Sequence, residues 1–481
     1  MRRLNGMDAY LLYSETPNMH SHTLKVAIID PVAMGGEAQG DFDFDTFRCH
    51  IRRRLHLLEP LRYRLVEVPW RLHHPMWMED CDVDLDYHLR RLQVPAPGGR
   101  RELDEVISQI ASTPLDRARP LWEFHFAEGL TGGRFALIGK VHHALADGVA
   151  SVNLLARAMD IRDGAPGEQS SDANAGVPSA GELLAEAGRD HTRQIAELPG
   201  LVRDAATGFT RVRRRSRERG GHPDLAGGFS APPTFLNHVV SPARSFGSAA
   251  LALADVKATS RSLSVSINDV VLATAAGGLR ELLLRYDGHA DSPLIASVPT
   301  STNRSAERIT GNEISGLSIS LPVHVADPME RVRLIALATG IAKEDHEILG
   351  PELYCRLMAY LPSAFAPRAF RWLSKREAQN RMMNVAVSNV AGPRERGHFG
   401  GAPVTEIYST GVLSPGAPVN VTVWSYVDQM GIAVLTDDRT FGNVHEATDA
   451  LIRAFVEIRT AAGVPGDLTP LVDALPAAAP E

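Results

Sequence analysis

The segment from residue 135 to residue 155 constrains the fold more than any other part of the chain. Its first part, Phe135–Val141, is almost entirely apolar and predicts a largely buried strand. Its last part, Gly148–Leu155, predicts the start of a helix. A buried strand that leads through a short loop into a helix indicates a mixed α/β protein, with the loop aimed into a cleft.

That loop carries two histidines, His142 and His143, followed by Asp147 and Gly148. Because adjacent residues leaving a strand point to opposite faces, we expect one ring to face the cleft and the other to face the core. Histidine is the side chain best suited to acid–base work near neutral pH. Asp147 could fix the loop by binding an arginine or backbone N–H groups, and Gly148 would supply a backbone angle that a Cβ forbids.

Two interpretations of the loop remain open. The histidines could be a structural pair that closes the strand, or one of them could be a catalytic base. The acid and the glycine at fixed offsets favour the catalytic interpretation. A zinc site is not expected, because the two rings diverge and no third ligand stands at metal spacing.

The first part of the chain alternates predicted strands and helices. Alternating Leu24, Val26 and Ile28 indicate a strand, and apolar residues from Phe44 to Leu58 recur at helical spacing. The alternating aromatic residues Trp122–Phe126 indicate a second strand. It turns at Thr131–Gly133 into the histidine strand, which predicts a hairpin.

The middle of the chain predicts a boundary between two lobes. From about residue 163 to residue 181 the composition is rich in Gly, Ser, Pro, Ala and Asn, which is typical of a linker. A helical stretch with a basic end follows. We therefore divide the chain into an N-terminal lobe at 1–162, a linker and helix at 163–242, and a C-terminal lobe at 243–475.

The second lobe has its own helix and strand signals. Ser266–Asp269 and Asp327–Glu330 predict helix starts, and a closing helix is predicted at Val444–Thr460. Strands are predicted at Leu294–Val298, Leu317–Leu321, Val385–Val390 and Val419–Tyr426. The longest uncharged stretch, Ile407–Val427, contains two prolines and several polar residues, so two strands around a turn are expected instead of a membrane-spanning helix.

Composition limits the functional classes. With 481 residues, the chain exceeds one ordinary core, and 44% hydrophobic with 22% charged residues indicates a globular protein. A net charge of -7 argues against a general nucleic-acid binder. Three widely spaced cysteines, Cys49, Cys81 and Cys355, and an N-terminal segment without an apolar core predict a cytoplasmic protein without a signal peptide.

The loop and several motifs in a fixed order resemble a known family. The pattern HHxxxDG is the signature of CoA-dependent acyltransferases such as chloramphenicol acetyltransferase and condensation domains. The further motifs are Leu4–Ala9, Pro114–Arg117, Arg119–Glu123, Asn268–Ala273 and Val387–Pro393. Together they resemble the bacterial wax ester synthase/diacylglycerol acyltransferase family, in its actinobacterial triacylglycerol synthase branch, from Leu4 to about Phe455. The chain departs from the family pattern at Ala391, where proline is common, and at Val149–Ser151, which replaces a more glycine-rich continuation.

The resemblance implies a fold and a reaction. It implies two chloramphenicol-acetyltransferase-like α/β lobes with an active-site tunnel between them. It also implies transfer of a long-chain acyl group from acyl-CoA to the hydroxyl of diacylglycerol, without a further cofactor. Alternatives are a wax ester synthase that uses long-chain alcohols, a condensation-type enzyme for another acceptor, and a non-catalytic lipid-binding protein.

The same resemblance assigns roles within the loop. His143 matches the second histidine of the motif and is the expected general base, with His142 and Asp147 in supporting roles and Gly148 at the turn. The alcohol would attack directly, because no serine or cysteine accompanies the motif as a nucleophile.

Other groups are candidates for binding the substrate. The tetrahedral oxyanion needs hydrogen-bond donors, and Asn268, next to Asp269, or Asn389 could supply one. Asn268 could instead be a helix N-cap, and Asn389 a turn former. Trp122 is expected to be a core aromatic residue that shapes the cleft. Arg304 and Arg308 are candidates for the phosphates of CoA.

Two basic segments predict contact with a lipid surface. Arg211–Arg219 and Arg368–Arg376 mix cations with apolar residues, which suits reversible docking on an anionic membrane or a lipid droplet. A solvated helix face is the alternative, above all for the first run. We expect peripheral attachment to the inner face of the plasma membrane or to droplets.

Overall fold

The computed structural model describes residues 1–31, 42–161, 178–228, 230–376, 382–471 and 474–476. Its strands, in chain order, are β1 Arg2–Arg3, β2 His22–Ile29, β3 Arg64–Val66, β4 Met76–Met78, β5 Leu89–Gln93, β6 Trp122–Glu128, β7 Phe135–His142, β8 Arg244–Ala252, β9 Leu294–Ser301, β10 Ile314–Leu321, β11 Val385–Ala391, β12 His398–Phe399, β13 Ala402–Ser409, β14 Val419–Tyr426 and β15 Gln429–Asp437.

Its helices, in chain order, are α1 Gly6–Tyr13, α2 Phe44–Arg54, α3 Leu85–His88, α4 Arg100–Ser112, α5 Gly148–Ala158, α6 Ala180–Arg219, α7 Leu253–Leu263, α8 Ile267–Tyr286, α9 Pro328–Leu349, α10 Leu353–Met358, α11 Ala366–Leu373 and α12 His445–Ala461. Short 3₁₀ turns lie at Leu55–Leu57, Glu59–Arg62, Pro69–Arg71 and Thr131–Gly133. Strands and helices follow the predicted pattern closely, and the sequence prediction of a mixed α/β fold is confirmed.

Two six-stranded sheets form the framework. The first has the order β12-β13-β2-β7-β6-β5, and the second has the order β10-β9-β11-β14-β15-β8. In the first sheet β6 and β7 form the predicted antiparallel hairpin around Thr131–Gly133. A small sheet of β1, β4 and β3 lies apart from them.

The first sheet is covered on both faces. Phe47 and Ile51 of α2 and Leu154 of α5 share one apolar core with Ala27 and Leu137. On the other face, α4 packs Leu103 and Ile107 against Leu24 and Ile138. The histidine strand β7 therefore lies buried in the middle of the sheet, and its side chains alternate between two separate cores.

The second sheet is built around α8. The helix begins at the predicted place and packs against α12, where Gly277 and Gly278 allow close approach. A Cβ at Gly278 would lie 3.0 Å from the side chain of Leu451. The predicted strand Val419–Tyr426 is β14, and Asp327 caps α9 by accepting a hydrogen bond from the Glu330 N–H at 2.7 Å.

The chain crosses between the lobes after β11. The uncharged stretch forms two strands as predicted, but they belong to different sheets. β13 pairs with β2 in the first sheet, and β14 pairs with β11 and β15 in the second. Residues 402–409, which the sequence assigns to the C-terminal lobe, thus extend the N-terminal sheet. The proposed domain boundaries stay a prediction.

Helix α6 follows the predicted linker, most of which lies outside the described residues. The helix begins with a capping box between Ser179 and Glu182. At its basic end, Arg215 and Arg219 bind Glu344 of α9, each at 2.7 Å. Part of the first basic run therefore stabilises a contact between helices instead of facing a lipid surface.

No single helix within the described ranges is long and apolar enough to cross a membrane. Helices α7 and α8 pass the same test of length and composition only as a pair bent by 99°. Most of the side chains of α8 are buried in the core of the second lobe.

Candidate active site

The two histidines lie where β7 leaves the first sheet. His142 is the last residue of the strand and is fully buried, whereas His143 is half-buried. The His143 N–H donates to the Ser21 carbonyl at 2.7 Å, which continues the pairing of β7 with β2. The alternation of the strand therefore sends the two rings to opposite faces, as the sequence predicts.

His142 is bound within the first lobe. Its Nδ1 accepts a hydrogen bond from the Ala144 N–H at 3.1 Å, which leaves Nε2 as the ring nitrogen that can donate. That nitrogen lies 3.8 Å from Glu15 Oε2. Although burial opposes ionisation of Glu15, His142 and Arg117 hold the pKa of that carboxyl well below its usual range. These contacts support a structural role for His142.

His143 lies in an environment that favours the neutral ring. Burial lowers the pKa of His143 below its usual value, and the positive charge of Lys25 contributes in the same direction. The ring is therefore ready to accept a proton at neutral pH. The His143 carbonyl accepts a hydrogen bond from Asn312 Nδ2 at 2.7 Å, which fixes the backbone at this position.

Asp147 ties the loop to residues 308–313. Its carboxylate accepts hydrogen bonds from Arg308 Nη2 at 2.9 and 2.8 Å, from the Ala150 N–H at 3.0 Å and from the Glu313 N–H at 3.0 Å. The Ala150 bond also caps α5. Asp147 is thus placed to orient the loop.

The suggestion that Arg308 binds a CoA phosphate is wrong, because its guanidinium is buried against Asp147. Arg304 is exposed and has no contact with the loop among the described residues.

The sequence analysis explained Gly148 by a backbone angle that a Cβ forbids, and this explanation is wrong. Gly148 is the first residue of α5, and its φ does not lie in the left-handed region. The missing side chain of Gly148 is instead needed because another residue packs closely against this position. A Cβ there would lie 3.3 Å from Cγ2 of Val390, at the end of β11 in the second sheet. The glycine lets the two lobes approach closely beside the loop.

Two functional candidates were missed by sequence reasoning. The Asp8 carboxylate accepts hydrogen bonds from the Asn312 N–H and from Asn312 Nδ2, both at 2.8 Å. Asn312 in turn holds the His143 carbonyl, so α1 is coupled to the histidine loop. Burial raises the pKa of Asp8 to about 7. The motif Leu4–Ala9 marked this segment, but the sequence did not indicate the residue that Asp8 binds.

Among the described residues, no hydrogen bond or ion pair joins the second-lobe candidates to the loop. Ser266 is the N-cap of α8, and Asp269 closes a capping box with it, accepting from Ser266 Oγ at 2.6 Å. Asn268 is therefore not the N-cap. Asn389 lies inside β11 and is not a turn residue, and strand alternation sends its side chain to the face opposite Val390. Any oxyanion role for Asn268, Asp269 or Asn389 stays a prediction.

Trp122 is a core residue. It is fully buried, its Nε1–H donates to the Leu61 carbonyl at 2.7 Å, and its ring stacks on His88 with 4.3 Å between centroids. Because its one donor is occupied, Trp122 is not available to bind an oxyanion.

A mostly apolar cavity lies beside the loop, within the first lobe. It is enclosed by one face of the first sheet and by α2 and α5, and its empty volume of about 730 Å³ is partly open to solvent. Val141 of β7 lines it, and His143 lies two residues further on, directly after the strand, where continued alternation would turn its side chain toward the same face. The polar side chains in the lining are Thr23, Lys25 and Ser151.

An active-site tunnel between the two lobes, which the family resemblance implies, stays a prediction. Among the described residues, no group of three or more His, Cys, Asp or Glu could hold a metal ion.

Comparison with solved structures identifies the class of fold. The first condensation domain of the calcium-dependent antibiotic synthetase aligns with a TM-score of 0.58 and 16% identity, over 97% of this chain and 98% of that one. This similarity shows the fold alone. The wax ester synthase/diacylglycerol acyltransferase from Marinobacter aquaeolei VT8 aligns with a TM-score of 0.67 and 25% identity, over 96% of this chain and all of that one.

Sequence comparison then defines the family. The wax ester synthase/diacylglycerol acyltransferase catalytic domain matches residues 4–271, and the WS/DGAT C-terminal domain matches residues 310–459. A Mycobacterium tuberculosis protein provisionally named diacylglycerol O-acyltransferase is 52% identical over 99% of both chains. Another, with the same provisional name, is 35% identical over 96% of this chain and 98% of its own. The chain belongs to the wax ester synthase/diacylglycerol acyltransferase family and is an acyltransferase.

Proposed function

We propose that this protein transfers a long-chain acyl group from acyl-CoA to the hydroxyl of diacylglycerol, forming triacylglycerol and free CoA. The observation that carries the proposal is the position of the half-buried His143, on a loop whose flanking residues Val141 and Ser151 line an apolar cavity large enough for a small ligand. Burial lowers the pKa of His143, which favours the neutral ring. The name of the relatives that are 52% and 35% identical supports diacylglycerol as the acceptor.

The geometry supports direct transfer with His143 as general base. An alcohol is a poor nucleophile at neutral pH, so a base must take its proton as its oxygen attacks the thioester carbonyl. The new C–O bond converts the carbonyl into an oxyanion, and collapse of this intermediate breaks the C–S bond. The protonated His143 then returns its proton to the departing CoA sulfur. Asp147 and Asn312 hold the loop through these steps.

A wax ester synthase activity toward long-chain alcohols is the second candidate. The solved relative from Marinobacter aquaeolei VT8 carries both activities in its name. Among the residues that line the cavity, the polar side chains are too few to select a glycerol backbone over a plain alkyl chain. Acceptor choice therefore has to be measured.

The test is release of free CoA thiol from palmitoyl-CoA by the purified full-length protein, with dipalmitoylglycerol or hexadecanol as acceptor. We expect acceptor-dependent release, faster with the diacylglycerol, and triacylglycerol as the product by mass spectrometry. Faster release with hexadecanol would replace the first candidate by the second. Thiol release that does not depend on either acceptor would contradict both.

We infer that the protein docks reversibly on an anionic lipid surface through a patch around α11. The docking patch consists of the exposed aromatic residues Trp70, Phe365 and Trp372 and the exposed cations Arg368, Arg371, Lys375 and Arg376. The Ser363 hydroxyl donates to the Arg71 carbonyl at 2.6 Å and so joins the Trp70 turn to α11. Aromatic anchors among cations suit the boundary between lipid headgroups and acyl chains.

Replacing both anchors of α11, in Phe365→Ser/Trp372→Ser, is expected to lower binding to vesicles of phosphatidylcholine and phosphatidylglycerol at least about tenfold. The reason is that each buried aromatic side chain contributes up to about 1.5–3 kcal/mol. Vesicle flotation measures the effect. The matched control is Leu284→Ser/Val456→Ser, which removes two apolar side chains of the second lobe that are 46% and 40% exposed. Equal loss of binding in both double variants would contradict this surface.

A further inference from the structure

Lys25 is a basic residue that lines the mostly apolar cavity of the first lobe. It lies in the middle of β2, opposite Gly139 of β7, and its side chain enters the cavity beside the histidine loop. Its Nζ donates a long hydrogen bond of 3.4 Å to Thr23 Oγ1. Within the described part of the chain no carboxylate lies at ion-pair distance from Nζ. Lys25 is half-buried, and a half-buried charge without a partner of opposite sign costs free energy, so packing alone does not explain a lysine here.

The ammonium group points toward the histidine loop. Thr23 pairs with Val141 of β7, and His143 lies two residues after Val141, just beyond the end of the strand and toward the same face by alternation. The side chain of Lys25 therefore runs along its strand in the direction of His143, whose ring feels its charge. On the other side the indole of Trp424, from the second lobe, lies with its ring centroid 5.6 Å from Nζ.

We propose that Lys25 is a further catalytic residue, which stabilises the oxyanion formed when the acceptor attacks the thioester of an acyl chain held in this cavity. The inference rests on the proposed function. The acyl chain would contact the apolar lining, and the thioester would lie beside Lys25 and Thr23, whose side chains are hydrogen-bonded to each other. A cation in a mostly apolar cavity stabilises such an oxyanion more strongly than it would in bulk water.

The chemical step keeps its proton balance. His143 takes the hydroxyl proton while the C–O bond forms, and the carbonyl oxygen becomes negatively charged against the Lys25 ammonium. When the C–S bond breaks, the oxygen returns to a carbonyl and the CoA sulfur receives the proton from His143. Lys25 donates a hydrogen bond throughout and transfers no proton.

The role predicts a dependence on pH. Burial lowers the pKa of Lys25 to about 7, so the ammonium form is lost as the pH rises through this value. His143, by contrast, has to be neutral, so activity is lost on the acid side. Among the titratable groups of the neighbouring elements, His143 on the loop is the one whose pKa responds to the charge of Lys25. Lys140, His142 and Glu406 lie on the other face of the sheet.

The experiment compares Lys25→Met and Lys25→Arg with the wild type, using palmitoyl-CoA and the acceptor that the wild type prefers. We expect Lys25→Met to lower kcat by about 10²-fold or more, with a much smaller change in the KM for palmitoyl-CoA. The wild-type fall of kcat above pH 7 should disappear in both variants, and Lys25→Arg should retain part of the activity up to pH 9. A Lys25→Met protein with kcat within threefold of wild type, or with the basic limb intact, would overturn the role.

Thermal unfolding separates catalysis from structure. Lys25→Met should unfold at the same temperature as the wild type or higher, since it removes a half-buried charge that has no carboxylate partner. The matched control is Lys140→Met on the other face of the same sheet, where the lysine binds Glu123 at 3.1 Å. It should unfold at a lower temperature and keep the basic limb. A destabilised Lys25→Met with a normal pH profile would indicate a structural residue.

Binding of palmitate tests the inference without turnover. Its carboxylate carries negative charge where the thioester oxyanion would form. At pH 6.5 we expect the Kd for palmitate to rise at least tenfold in Lys25→Met, and the Kd for uncharged methyl palmitate to stay unchanged. If the wild type releases no CoA with any acceptor, the proposed function fails. The comparison of Kd values still tests whether Lys25 binds a negative charge in the cavity. Equal Kd values for palmitate would overturn the inference.

Discussion

Replacing His143 by alanine is expected to lower kcat for acyl transfer by about 10²- to 10⁴-fold, the range that general acid–base catalysis contributes. The side chain is half-buried, so its loss leaves the fold intact, while the loop contacts of Asp147 and Asn312 remain. Thiol release from palmitoyl-CoA in the presence of the preferred acceptor measures the effect. The KM for palmitoyl-CoA should change little, because the imidazole acts on the alcohol.

The dependence on pH makes this prediction specific. Burial lowers the pKa of His143, and the neutral ring is the active form, so on the acid side the wild type should start to lose activity below the usual histidine value of about 6.5. The residual activity of His143→Ala should lack this acid limb. His289→Ala, which removes a histidine that is 65% exposed in the second lobe, is the matched control and should behave as wild type. Full activity in His143→Ala would exclude the mechanism.

Local signals in the sequence were sufficient for the elements that carry the site. The alternation of apolar residues located β2, β6 and β7, and the N-caps Ser266 and Asp327 marked the starts of α8 and α9. These signals depend on residues a few positions apart, where strand and helix geometry leave little choice. The divergence of His142 and His143 followed from the same geometry.

Contacts between distant segments could not be predicted in this way. Asp147 binds Arg308, 161 residues away, and Asp8 binds Asn312, 304 residues away. The sequence indicated that Asp147 needs an arginine, but many arginines are available and periodicity does not select one. Gly148 was interpreted as a turn for the same reason, because only the fold brings Val390 against it. The crossing of β13 into the first sheet also depends on tertiary pairing.

Breaking the buried pair between Asp147 and Arg308 should cause the largest loss of stability among single substitutions in the loop. The side chains are 0% and 8% exposed, so Asp147→Ala leaves an unpaired guanidinium inside the protein. Removing one partner of a buried pair costs about 3–5 kcal/mol, and the lost cap of α5 adds about 1 kcal/mol. We expect a clear fall in the thermal unfolding temperature, together with a loss of kcat because the His143 loop is released.

Arg308→Met in addition to Asp147→Ala should restore part of the lost stability, because it removes the unpaired charge while the activity stays low. Glu281→Gln serves as the control: it breaks the surface pair with Arg453, whose side chains are 43% and 56% exposed, and such a pair contributes at most about 1 kcal/mol. If Asp147→Ala unfolded at the same temperature as Glu281→Gln and kept full kcat, the pair would not hold the loop. The loop would then owe its geometry to its other contacts, which include the Asn312 hydrogen bond and the backbone hydrogen bonds of Leu145 and Asp147 with Gly311.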